Sequence, residues 1–205
     1  MTAIRISGRR GLVGQTLRDM AAVLGRRPCG EPGETVIGHS SALRTSVFLG
    51  VGGELCVEAL MDVSMIPPAW RPFHLVWLAL MIDLCVAFSA VTRRHPHRLT
   101  ARTLRIRAGL YDELLLPLSR VVTVRREFVS AKGRGVRPVP GSSGSVLCTV
   151  AGTAELTLEL DEPVELRLAD GSSLTAERLH LSADHPVTAH RELFRAVRAL
   201  RADGS

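Results

Sequence analysis

Residues 46–66, SVFLGVGGELCVEALMDVSMI, and residues 73–91, FHLVWLALMIDLCVAFSAV, flank the break Pro67-Pro68-Ala69-Trp70-Arg71-Pro72. At about 1.5 Å per helical residue, each stretch is long enough to cross a hydrocarbon core of roughly 30 Å. The pair therefore reads as a transmembrane helical hairpin. Arg44 precedes the first stretch, Arg93, Arg94 and Arg98 follow the second, and the break offers only Arg71. The excess of bases at the outer ends places both termini in the cytoplasm, with the hairpin in a plasma or inner membrane. Trp70 and Trp77 suit an interfacial aromatic belt. The competing reading is a soluble helical hairpin buried in a larger core.

The acids inside these stretches are their oddest chemistry. Glu54, Glu58 and Asp62 are spaced i, i+4, i+8 and form one helical stripe, which continues through Gly50 and Ser46. Asp83 is flanked at the same spacing by Ala79 and Ala87, a small-residue face that lets helices approach closely. Counting both helices outward from the break sets Asp83 level with position 56, so three carboxylates are expected to meet. An Asp at a helix centre opposes insertion by roughly 2.5–3.5 kcal/mol unless it is protonated, paired or turned inward. Two readings follow. The acids either hold a proton or cation in an oligomer, or they hydrogen-bond and fix helix packing. A single hairpin encloses no pathway, which favours packing.

Outside the hairpin the composition is basic, with a net charge of 26 − 20 = +6, and the bases are grouped. Residues 93–138 hold 12 bases and 3 acids, whereas residues 139–190 hold 2 bases and 8 acids. Residues 1–45 read as a basic tail containing one helix, Leu12 to Leu24, able to lie on an anionic leaflet. No signal-peptide pattern is expected. The four cysteines, Cys29, Cys56, Cys85 and Cys148, form no C-x-x-C pair, which argues against a zinc ribbon or a disulfide framework.

After Arg94 the period changes to two. Strands are predicted over Leu104–Gly109, Leu114–Leu118, Val121–Arg125, Glu155–Leu160, Val164–Leu168 and Leu174–Leu181. Asp161-Glu162-Pro163 and Asp170-Gly171 read as turns, and residues 132–145 as a long mobile loop. Ser182 or Asp184 is expected to cap a final helix with Pro186 in its first turn and Val187, Leu193, Phe194, Val197 and Leu200 on its apolar face. The fold class is thus α+β, with three parts: a tail over 1–45, the hairpin over 46–93, and an antiparallel sheet closed by a helix over 94–205.

Leu99-Thr100, Leu104–Leu110, Leu116–Val121 with Val124, and the closing helix Pro186–Leu200 together resemble the bacterial pleckstrin-homology-like domains of small membrane proteins. The resemblance covers about half the chain. It implies a partly open barrel used for binding or assembly, with no catalytic residues to carry over.

The basic belt Arg93, Arg94, Arg98, Arg102, Arg105 and Arg107 fits an anionic inner leaflet, where each base adds up to about 1 kcal/mol. A second copy of the chain or a membrane-protein partner is also compatible. Nucleic acid ranks below lipid, because the one tyrosine, Tyr111, leaves no interleaved aromatic face for stacking. His95-Pro96-His97 lacks carboxylate or thiol partners in sequence for a metal, and His74, His180, His185 and His190 read as surface or cap residues. No nucleophile with a framed base and no phosphate loop is present, so no cofactor and no enzymatic activity are expected. The leading reading is a non-enzymatic, membrane-anchored binding or assembly module. The alternatives are an intramembrane carboxylate site and a soluble regulatory or nucleic-acid-binding protein.

Overall fold

A computed structural model describes residues 3–5, 12–25, 33–108, 113–133, 135–168 and 171–203. The chain divides into two units. One takes in Met1–Gly11, Pro28–Ser40 and His95–Ser205, and the other Leu12–Arg27 and Ser41–Arg94. The sheet unit therefore begins earlier than the sequence suggests. Strands β1 (Ala3–Arg5) and β2 (Thr35–Ile37) come from the segment read as tail. They are too short to show a period, and only their partners reveal them. β1 pairs with β9 (Thr153–Arg167), and β2 with β3 (His97–Leu99).

Two sheets build this unit. The smaller runs β2–β3–β4–β5, with β4 at Thr103–Arg107 and β5 at Glu113–Pro117, all antiparallel. The larger runs β1–β9–β10–β8–β7, with β6 (Val121–Ser130) also on β9; β7 is Gly135–Pro138, β8 Ser145–Thr149 and β10 Ser173–Leu181. Most pairs are antiparallel, while β1–β9 and β8–β10 are parallel. Among the described residues the strands close no barrel. Period two sets the core: Leu104, Ile106, Leu114, Leu116, Leu156, Leu158 and Leu166 are all at most 1% exposed. Helix α4 (Pro186–Asp203) adds Ala189, Leu193 and Val197 to that cluster.

Four expectations change here. Residues 132–145 hold β7 and the start of β8 with a tight connection between them, in which Gly144 takes φ 70° and Val139 N–H donates to Ser145 O at 2.9 Å. Pro138 ends the outer strand of the sheet, where its missing N–H leaves no ladder bond unmade. The expected turn at Asp161-Glu162-Pro163 is the middle of the single strand β9. It lies between the ends of β6 and β1 on one side and opposite the β10 irregularity at Ala176/Arg178 on the other, so Pro163 breaks no ladder. In α4, Val187 and Phe194 are exposed, because the buried stripe runs through Ala189, Leu193 and Val197. Ser182 lies too far ahead of α4 to cap it, and its buried hydroxyl has no hydrogen-bond partner among the described residues. Gly171 lies in the β9–β10 connection with φ 88°, while Asp170 falls outside the described residues.

The helical unit contains α1 (Leu12–Leu24), α2 (Ser41–Ser64) and α3 (Arg71–Arg94), with a 3-10 turn at Pro68–Trp70. α1, expected in a tail or on a leaflet, packs along α3. One helical stretch among the described residues, Pro68–Arg94, is long and apolar enough to cross a membrane. By this measure α3 qualifies and α2 alone does not. Every 18-residue window of that helix holds three charged residues drawn from Arg44, Glu54, Glu58 and Asp62.

Candidate functional site

The acidic stripe of α2 meets α3 near the turn. His74 Nε2–H donates to Glu58, and Nδ1–H donates to Asp62 Oδ1 at 3.3 Å. Each ring nitrogen faces one carboxyl group, so a single side chain of α3 partners both acids of the stripe. The His74 side chain is 11% exposed, against 26% for Glu58 and 23% for Asp62. Glu54 lines the adjoining shallow cleft with Val51, Leu55, Glu58, Trp77, Leu78 and Met81. Asp83 is absent from this lining and stands exposed.

Three of the four expected acids thus gather at the α2–α3 seam, and the fourth does not. The count that placed Asp83 opposite Glu54 and Glu58 treats both helices as ideal up to the break. In the structure α2 ends at Ser64 and the chain spends Met65–Pro67 off the helix axis, which shifts the register and brings His74 to Glu58. Sequence reasoning missed His74. The available signal was a titratable ring one turn beyond the break, facing an i, i+4 pair of acids that needed a partner inside an apolar element.

Substituting His74→Leu should therefore loosen the pair, because it strands two carboxylates against apolar side chains. We expect faster chymotrypsin cleavage after the exposed Trp70 in detergent than in the parent chain. Adding Glu58→Gln and Asp62→Asn to that variant should restore protection, since the amides need no counter-ion. Equal cleavage in all three proteins would show that the contact holds nothing.

The basic belt is divided. Arg98 pairs with Glu34 at 3.1 Å, while Glu113 takes Arg107 at 2.9 Å and Arg105 at 3.7 Å. Cross-strand register puts Arg98 beside Arg105 and Arg105 beside Leu115, so these bases share one face of the small sheet with an apolar side chain that is 46% exposed. Glu34 and Glu113 thus face three of the six bases. Arg93 and Arg102 are exposed, and Arg94 is half-buried.

The His-Pro-His segment has a structural task. His97 is buried; its Nε2–H donates to Ser182 O at 3.0 Å, and its Nδ1 accepts Arg107 N–H at 2.8 Å. No ring nitrogen remains for a metal, and among the described residues no three His, Cys, Asp or Glu side chains converge on one point. Burial, followed by the neighbouring His39 ring, pushes His97 well below the usual histidine pKa of 6.5. His180 is also lowered, chiefly by burial.

His180 Nδ1–H donates to Thr157 Oγ at 2.9 Å, and the Thr157 hydroxyl donates to Glu127 Oε2 at 3.0 Å. In a nucleophile triad the acid orients the histidine. Here it holds the hydroxyl instead, and Thr157 is 1% exposed. Cys148 is fully buried, its thiol pushed up to about 12 by desolvation, which makes it inert.

Comparison with family models, with curated proteins and with solved structures finds no match.

Proposed function

We propose that this chain is a non-enzymatic, membrane-anchored binding or assembly module. In this reading α2 and α3 form a two-span anchor with both termini cytoplasmic. The sheet unit is a pleckstrin-homology-like domain that docks on the anionic inner leaflet through its exposed Arg102, and Arg93 at the end of α3 meets the same leaflet. The observation that carries the proposal is where the apolar surface lies. Of the 22 large apolar residues exposed among the described ones, 15 fall between Phe48 and Val86, with exposures from 39% for Val86 to 73% for Met65. A soluble domain does not leave a continuous patch of that kind in water. Glu58 and Asp62 lie toward the seam, where they meet His74, while Asp83 stays exposed. Apolar side chains outward and paired ionisable groups inward is the arrangement a bilayer demands, and it offsets the charge that keeps α2 from qualifying alone.

The protein expressed in a bacterium is expected to stay in the membrane fraction through alkaline carbonate and to need detergent for release. Recovery in the soluble fraction at high salt would overturn the anchor. In nanodiscs, trypsin should cut after Arg102 more slowly on anionic than on zwitterionic lipid, and the difference should vanish at high salt, where surface attraction is screened within a few ångströms. Equal rates at low salt would remove the leaflet as the docking partner while leaving the anchor intact.

A further inference from the structure

The chain enters α2 through Gly38-His39-Ser40 and leaves α3 through His95-Pro96-His97, so both connections converge on one buried histidine pair. The His39 and His97 rings lie 4.6 Å apart at 34°, and each is at most 2% exposed. His39 Nε2–H donates to His95 O at 2.8 Å, which clips the two connections together, and its Nδ1 accepts the Ser40 hydroxyl at 2.6 Å. His97 joins β3 to Arg107 N–H on β4 and to Ser182 O ahead of α4. Asp184 N–H donates to Gly38 O at 2.8 Å on the same segment. Ser40 holds φ 68°, a left-handed conformation that a non-glycine residue keeps only where its surroundings enforce it. β2 itself pairs through three residues only, Thr35, Val36 and Ile37.

We propose that the His39–His97 pair is a proton-operated latch on β2: a proton taken from solvent by His97 breaks its bond to Arg107 N–H and releases the β2–β3 edge. The step is simple in atoms. Neutral His97 accepts at Nδ1; once protonated there, the ring presents an N–H to the Arg107 N–H, and two donors face each other. Protonated His39 does not have this difficulty, because the Ser40 hydroxyl can rotate from donor to acceptor. His97 is therefore the trigger.

The charged and titratable groups around it are Arg107 on β4 and His39 on the entry to α2, which both oppose a second positive charge. Asp184, whose carboxylate overlies Gly38, and Glu155, which accepts Ala183 N–H at 2.9 Å, lie on the segment ahead of α4 and on β9. The Glu34–Arg98 ion pair spans β2 and β3. Desolvation is the largest influence on His97, His39 and Arg107 act in the same direction, and the neutral ring is the one that fits its two bonds. A histidine held below its free value stabilises the fold above about pH 6.5, and that contribution is lost as pH falls toward the folded value. The latch is closed at neutral pH and opens in acid. The inference does not depend on what surrounds the helical unit.

Hydrogen exchange of the full chain, compared at pH 7.5 and 5.0 after correction for intrinsic rates, tests it. Amides 35–40 and 97–99 should lose about tenfold in protection in acid while α4 around Leu193 holds. His97→Gln, which keeps an amide able to bond but does not titrate, should show no such change. Unchanged wild-type protection, or the same loss in His97→Gln, would overturn the proposal. Should that variant fail to fold, nitrogen shifts of the wild-type ring decide. The Nε2–H tautomer at pH 7.5 must give way to the doubly protonated ring over the range in which β2 opens, and a ring still neutral after β2 has opened refutes the latch.

Discussion

Leu158→Ala should destabilise the sheet unit by about 3 kcal/mol, within the range of 2–5 kcal/mol for deleting a buried leucine side chain. Leu158 is fully buried on β9, in register with Val124 of β6 on one side and Leu179 of β10 on the other. Removing it leaves a void at the junction of the three longest strands, where backbone pairing on both sides prevents collapse. Cys148 offers the readout, since its thiol is buried and reacts only when the unit opens. Maleimide labelling of the peptide containing Cys148 should speed up by roughly a hundredfold, the equivalent of that loss of stability. An acceleration below about threefold would mean that the strands repack around the gap. Labelling at Cys56, which is exposed on α2, should stay the same.

Gly152→Ala should cost roughly 2–4 kcal/mol, and the control Gly171→Ala only about 1 kcal/mol. Both glycines take positive φ, 84° and 88°, so both alanines pay for a left-handed backbone. Only at Gly152 would the new Cβ strike backbone, with Ala131 O at 2.8 Å and Gly133 O at 3.2 Å; at Gly171 it would meet open space. The close approach is functional for the fold, because Ala131 N–H donates to Gly152 O at 2.9 Å and ties the end of β6 to the β8–β9 turn. Denaturant unfolding followed through Cys148 should rank the two variants in that order. Equal losses would show that the turn can move away and that conformation alone sets the cost.

Much of this architecture was legible because local chemistry repeats. Period two across Leu104–Leu118 and Glu155–Leu181 identified strands that bury alternate leucines, and Pro186 marked the first residue of α4. The boundary at Arg94/His95 was readable as a change of period. The candidate site was legible in part. The stripe Glu54, Glu58 and Asp62 could be read from i, i+4 spacing, but its partner could not, since the path of the chain through the turn decides which residue of α3 faces it.

What the sequence determined by itself is everything that depends on neighbours within about one helical turn or strand repeat: two long apolar helices with an acidic stripe, a run of alternating strands, and a closing amphipathic helix. What only the tertiary structure decided are the pairings across long separations. β1 and β2 join strands far along the chain, with 162 positions separating Ala3 from its partner Glu165, His74 rather than Asp83 completes the acidic seam, half of the arginine belt is matched by Glu34 and Glu113, and His39 meets His97. The physical reason is common to all four. A three-residue strand or a single polar side chain has too little local preference to declare itself, and its position is fixed by the unpaired backbone edge or uncompensated charge that the rest of the fold leaves for it.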